Sequence, residues 1–141
     1  MSQAFKFYTP IKVRFIETDQ QGHVYFGSYY TYFDVALEEY LTEIGYAYPQ
    51  MLQDGADFVY AESHCAYKSP AKWPEIMHAY VRVGHIGNRS LRFDFEIKAK
   101  SNDRLIATGH IVAVTANRET FTPQPVPDRL RQAITAFEDE R

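Results

Sequence analysis

Apolar positions along the chain keep two rhythms, and the switches between them mark out its elements. Over residues 5–15, Phe5, Phe7, Ile11, Val13 and Phe15 share one parity, the period of a strand, and Pro10 confines that strand to a sheet edge or a bulge. A polar loop at 17–22 follows. The rhythm then turns helical, with Tyr30, Phe33, Leu37, Tyr40, Leu41 and Ile44 recurring at three- and four-residue spacing. This predicts a long helix over 27–44, with Asp34, Glu38 and Glu39 on its solvated face and Gly45 suited to its C-terminal cap. Beyond a turn-like stretch at 46–55 come four strand-like runs, at 58–68, 76–86, 90–100 and 104–116. The third is the clearest, because Leu91, Phe93, Phe95 and Ile97 alternate with Arg92, Asp94, Glu96 and Lys98. Turn-forming residues separate the runs at Ser69-Pro70-Ala71, Gly87-Asn88-Arg89 and Ser101-Asn102-Asp103. Leu130, Ala133, Ile134 and Phe137 predict a short helix from about Pro127.

Strand, long helix, four strands and short helix is an α+β order. The single long helix must be covered by the sheet that the strands form, so the simplest architecture is a curved antiparallel five-stranded sheet wrapped round one helix. A chain of 141 residues with no linker or repeat makes one domain, 1–141. Apolar residues at 45% and charged residues at 23% exclude a disordered chain. A net charge of -3 without a dense Lys/Arg block argues against nucleic acid as a partner. The lone Cys65 cannot form an internal disulfide, the first ten residues lack the pattern of a signal peptide, and no apolar run would span a membrane. A cytoplasmic protein is expected.

Unusual residue choices concentrate just before the helix, in Thr18-Asp19-Gln20-Gln21-Gly22-His23-Val24-Tyr25-Phe26-Gly27-Ser28-Tyr29. An acid, an imidazole and a helix N-terminus converge there, and the first N–H groups of a helix are free to bind an oxyanion. Acyl transfer needs that pairing, a carboxylate to attack or to activate water and preorganised donors for the charge growing on the carbonyl oxygen. The simpler readings stand beside it. Asp19 is also a natural turn residue that bonds its own backbone, and His23 a natural structural residue. No Gly-x-Ser-x-Gly elbow occurs, and histidines at 23, 64, 78, 85 and 110 show no paired ligand spacing, which argues against a serine hydrolase and a zinc site.

Val13-Arg14-Phe15, Glu17-Thr18-Asp19, Gly22-His23-Val24-Tyr25-Phe26, Ser28-Tyr29 and Glu38-Glu39-Tyr40-Leu41 closely resemble the 4-hydroxybenzoyl-CoA thioesterase family of hotdog-fold acyl-CoA thioesterases. Tyr67-Lys68-Ser69-Pro70-Ala71, Gly87-Asn88-Arg89-Ser90 and Pro127-Asp128-Arg129-Leu130-Arg131 look like its later landmarks, so the resemblance covers nearly the whole chain. It implies a hotdog fold and a thioesterase that needs no metal or redox cofactor, coenzyme A being part of the substrate. Asp19 becomes nucleophile or general base, with His23 as an assistant, and the oxyanion donor falls on the Phe26 N–H with Tyr25 beside it. The resemblance also implies dimers joined sheet edge to sheet edge, with the active site between subunits, and a homodimer assembling further to a tetramer is expected. Because coenzyme A is anionic, Lys68, Lys72, Arg89 and Arg118 are candidates to meet its phosphates, with Ser90 beside Arg89. The competing functions are a non-catalytic acyl- or aryl-binding module, and a hydratase or dehydratase using His23 with Asp19.

Overall fold

A computed structural model describes residues 4–139. Its five strands are β1 (Phe7–Lys12), β2 (Ala56–Tyr67), β3 (Ile76–Ile86), β4 (Ser90–Ala99) and β5 (Leu105–Asn117), and its helices are α1 (Ser28–Glu43), α2 (Tyr48–Gln53) and α3 (Asp128–Asp139). All strands join one antiparallel sheet in the order β1-β3-β4-β5-β2. The expected α+β architecture, a curved five-stranded sheet against one long helix, is what forms.

Alternation decides which side of the sheet is covered. Met77, Ala79, Val81 and Val83 of β3 and Leu91, Phe93, Phe95 and Ile97 of β4 are buried on the face that meets α1. Phe33 of α1 lies flat on Phe95, ring centroids 4.5 Å apart, and Tyr40 meets Phe93 edge-on at 6.1 Å. Gly109 of β5 makes this close approach possible, because a Cβ there would stand 2.6 Å from the Phe33 ring and collide with the His64 carbonyl. At the other end of α1, the Tyr40 hydroxyl donates to Glu138 Oε2 at 2.6 Å. That same oxygen accepts the Val83 N–H at 3.0 Å, where a bulge between Val83 and His85 interrupts the pairing of β3 with β4. Burial and the neighbouring carboxylate push the Tyr40 hydroxyl far above its ordinary range. α3 is thereby tied to the core by a fully buried acid.

Four expectations need correction. The first strand stops at Lys12 instead of continuing to residue 15, because the chain turns into a single 3₁₀ turn at Phe15–Glu17, which leaves Phe15 outside the core. The stretch 46–55 contains α2, with Pro49 at the helix start, where its missing N–H costs nothing. The buried face of α1 includes Tyr29, Tyr32 and Ala36, whereas Tyr30 is partly exposed. β2 begins at Ala56 and not at 58. Pro10 does sit on an edge strand, opposite His78. β2 forms the other edge, and its middle is exposed. No helix among the described residues is long and apolar enough to cross a membrane.

Candidate active site

Two connections cross one end of the sheet side by side. One carries the chain from β1 to α1, and the other carries it from β2 to β3. The Val13 N–H donates to the Glu75 carbonyl at 2.9 Å and the Val24 N–H to the Ala71 carbonyl at 2.8 Å, so the connections are stapled together at two points. Arg104 reinforces the second connection, reaching Ser69 Oγ, the Pro70 carbonyl and the Glu75 carboxylate.

Within the first connection, Glu17 is the organising residue. Its carboxylate is buried and accepts the Arg14 N–H at 2.8 Å, the Arg14 guanidinium at 2.6 and 2.9 Å, and the Tyr32 hydroxyl at 2.9 Å. Burial alone would raise its pKa, but these hydrogen bonds from Arg14 and Tyr32 outweigh it and hold the carboxyl below the usual range. Sequence reasoning did not single out Glu17, since its partner Tyr32 is fifteen residues away on α1.

After Glu17 the chain makes a tight excursion. Thr18 bridges Val24, the Asp19 N–H donates to the His23 carbonyl at 3.1 Å, and the Gly22 N–H closes a turn on the Asp19 carbonyl at 3.0 Å. Gly22 has φ +85°, which explains a glycine here. Asp19 Oδ1 accepts the Gln21 N–H at 2.8 Å, the Asx-turn geometry of the simpler reading, and its other carboxylate oxygen has no partner among the described residues. Being a turn former therefore leaves half of the carboxylate available.

The chain then enters α1. The Tyr25 N–H is committed to the Glu17 carbonyl at 2.9 Å, but the Phe26 and Gly27 N–H groups have no partner among the described residues. Gly27 is the N-cap and offers no capping side chain. Tyr67, at the end of β2, donates its hydroxyl to the Phe26 carbonyl at 2.9 Å and packs edge-on against Tyr29 at 5.1 Å. Burial and the nearby Cys65 thiol push this hydroxyl up to about 12. A cleft of about 360 Å³ opens here, lined by His23, Val24, Phe26, Tyr29, Tyr67 and Lys68 among others.

The sequence-predicted residues thus fall into four places, Lys72 lying by itself in a depression beside Arg104 on the second connection. His23, Phe26 and Lys68 share the cleft, with Tyr25 next to them in the chain. Asp19 lines an adjoining groove with Phe15, Ile16 and Trp73, on the other side of its own turn. Arg89 precedes β4 and Ser90 opens it, and Arg118 follows β5, at the opposite end of the sheet. At about 3.4 Å per residue, the length of β4 separates them from the Asp19 turn by roughly 30 Å. No group of three or more His, Cys, Asp or Glu among the described residues is arranged to hold a metal ion. What the site offers is a half-free carboxylate, an imidazole, unsatisfied N–H donors and an aromatic wall.

The chain is similar to known thioesterases. The family model described as "Thioesterase-like superfamily" matches residues 13–134. A DHNA-CoA thioesterase from Staphylococcus aureus is 26% identical and superposes with a TM-score of 0.85, covering 94% of this chain and 93% of its own. A gentisyl-coenzyme A thioesterase is also 26% identical, with a TM-score of 0.81 over 90% of this chain and 98% of its own. The PA5185 protein of Pseudomonas aeruginosa is 28% identical, with a TM-score of 0.86 over 95% and 92%.

Proposed function

The chain belongs to the thioesterase-like superfamily and has a hotdog fold, and from that premise we infer that it is a hydrolase that cleaves acyl-CoA thioesters to free acid and coenzyme A. The observation that carries this reading is the unsatisfied Phe26 N–H at the entry to α1, seven residues along the chain from a carboxylate with a free oxygen. A thioester carbonyl accepting that N–H would have its developing negative charge stabilised by a donor already in position.

Asp19 then acts in one of two ways. As general base it takes a proton from the attacking water while the C–O bond forms, and returns it to the sulfur as the C–S bond breaks. As nucleophile it forms a mixed anhydride as the C–S bond breaks and the coenzyme A thiolate departs, and water then opens the anhydride to the free acid and the Asp19 carboxylate. His23, on the cleft wall, assists by hydrogen bonding. The Tyr25 N–H is already bonded to Glu17, so Tyr25 contributes as a neighbour of the donor and not as a second one.

The acyl group in this reading is aryl, as in the 4-hydroxybenzoyl-CoA thioesterases that the motifs resemble. Phe26, Tyr29 and Tyr67 supply ring surfaces in the cleft, and two of the similar solved proteins are named for aryl acyl-CoA substrates. The working unit is a homodimer, associating further to a tetramer. β2 has no strand on its outer edge within the chain, and two copies paired antiparallel there would bring the Ala56 end of one beside the Tyr67 end of the other. Arg89, Ser90 and Arg118 of a second copy then approach Lys68, which resolves their separation within one chain.

Replacing Asp19 with Asn keeps the acceptor of the Asx turn while removing the charge. Turnover of benzoyl-, hydroxybenzoyl- and fatty acyl-CoA should fall by at least a hundredfold, with the circular dichroism spectrum and oligomeric state retained. Undiminished turnover in this variant would refute the assignment, and wild-type binding of acyl-CoA without hydrolysis would leave a ligand-binding module instead. Single turnover in heavy-oxygen water separates the two routes, because label enters Asp19 only through an anhydride.

A further inference from the structure

Ile16 at 87% and Phe15 at 71% are the most exposed large apolar side chains among the described residues, and Trp73 stands beside them at 52%. The Trp73 ring meets Phe15 edge-on at 5.6 Å, and all three side chains line the groove that holds Asp19. Their exposure is built into the fold. The buried Glu17 carboxylate accepts the Arg14 N–H and the Tyr32 hydroxyl, and the 3₁₀ turn that it anchors holds Phe15 and Ile16 outward on a fixed base. Ile76, three residues on from Trp73, is a fourth exposed apolar side chain at this end of the sheet. An apolar patch rimmed by polar residues marks an interaction surface.

The charge around the patch selects the partner. Lys12 pairs with Ile76 on one side, and the Lys100 N–H donates to the Ile76 carbonyl on the other. Lys72 precedes Trp73, and Lys68 begins the same connection. None of these four ammonium groups has a carboxylate partner among the described residues, whereas Glu17 and Glu75 are taken by Arg14 and Arg104. Asp19 and Asp103 oppose them, which leaves the excess positive. Residues 28–67, by contrast, hold seven Asp and Glu and no Lys or Arg. These acids begin at Asp34, roughly two turns up α1, and lie away from the patch along α1, α2 and β2. A chain of net charge -3 is therefore polarised, with its positive pole at the apolar end.

We propose that this end of the molecule docks on an anionic lipid bilayer, with Phe15, Ile16 and Trp73 entering the headgroup layer and Lys12, Lys72 and Lys100 meeting the negative surface. A lipid layer suits these side chains better than another protein does. Ile16 is surrounded by solvent and has no neighbours that would shape a pocket for a partner, and a fluid layer needs none. Tryptophan favours the membrane interface, and lysine stems lie along apolar surface while their charged heads reach outward. The charge polarity fixes the orientation, because the acids of α1 and α2 are repelled from the surface that attracts the lysines. The groove of Asp19 then faces the bilayer. The contact is peripheral, and it is independent of acyl-CoA hydrolysis.

Trp73 is the only tryptophan of the sequence, so its emission reports on this surface alone. Vesicles of phosphatidylglycerol and phosphatidylcholine in equal parts, titrated into the wild-type protein, should shift that emission to the blue saturably, and added salt should weaken binding. Vesicles of phosphatidylcholine alone should bind about tenfold more weakly or less. Brominated acyl chains should quench the bound state, as expected for a ring inside the headgroup layer. Ile16→Glu should weaken binding to the mixed vesicles by about tenfold or more with thermal unfolding unchanged, and so should the double variant Lys12→Ala, Lys100→Ala. No shift on the mixed vesicles, equal binding to both kinds, or a shift without bromine quenching overturns the proposal. Unaltered binding in either folded variant overturns it as well. A blue shift that grows with protein concentration in the absence of lipid, and vanishes in Ile16→Glu as the sedimenting mass falls, overturns it in favour of a second copy on this surface. Vesicle binding and acyl-CoA turnover are read separately, so neither reading falls with the other.

Discussion

Replacing Glu17 with Ala tests whether the buried carboxylate, and not the propensity of the loop, holds the Asp19 turn against α1. The change removes the acceptor of the Tyr32 hydroxyl, which is 1% exposed. A buried hydroxyl left without a partner costs about 1–3 kcal/mol. The Arg14 side chain is 69% exposed, so its ion pair with Glu17 is screened by solvent and adds little. That cost corresponds to a fall in Tm of roughly 3–9 °C at about 3 °C per kcal/mol for a chain of this size. The sign of a second change is sharper than the size of the first. Tyr32→Phe should destabilise the wild type by about 1 kcal/mol, yet stabilise Glu17→Ala, because there it deletes the orphaned hydroxyl. Urea unfolding of the four proteins at pH 7 gives the cycle. Equal effects of Tyr32→Phe in both backgrounds, within about 0.5 kcal/mol, would refute the reasoning. The pH dependence follows from the same bonds. Glu17 has a lowered pKa in the folded state, so its contribution is complete above the ordinary glutamate value of about 4.3 and is lost as the pH falls through the folded value. The stability gap between wild type and Glu17→Ala should therefore narrow in acid and stay constant from pH 6 to 8.

Two further substitutions probe the core that carries the site. Gly109→Ala forces a methyl group into the Phe33 ring and the His64 carbonyl, and should lower stability by about 1–3 kcal/mol in thermal or urea unfolding. Tyr40→Phe leaves Glu138 buried with only the Val83 N–H as donor, and a loss of about 1.5–3 kcal/mol is expected by the same measurement.

Elements whose stability comes from one regular face were legible in the sequence. Alternation in β4 and the helical spacing in α1 report directly on burial, and both elements fall where they should. The failures have physical causes. In α1, Tyr29, Tyr30, Tyr32 and Phe33 are all large and aromatic, so hydrophobicity could not say which of them face inward. Phe15 keeps strand parity with Val13, but the 3₁₀ turn after Arg14 rotates it out to solvent. α2 is too short for periodicity to register, and it lies inside the stretch read as turn-like. At the candidate site the local part was readable. Asp19, Gly22 and Phe26 are set by a turn and a helix start, which short-range chemistry specifies. Glu17 and Tyr67 were not, since each acts through a partner fixed only by tertiary packing. The separation of Arg89 and Arg118 from Asp19 depends on strand order, which no local pattern encodes.

The two staples between the connections, Val13 to Glu75 and Val24 to Ala71, have a consequence for motion. Segments that share such bonds open together, so residues 13–25 and 68–75 make one cooperative unit whose opening free energy belongs to both. Asp19 cannot swing away from the sheet without Trp73 and Lys72 loosening with it, and whatever steadies the second connection also steadies the carboxylate. The boundary of that unit falls between neighbouring amides: Val24 and Tyr25 lie inside it, while Phe26 and Gly27 stand outside with their N–H groups open to exchange with solvent. A bound carbonyl would extend the protected region by those residues, and hydrogen exchange at the start of α1 would register the occupancy of the site directly.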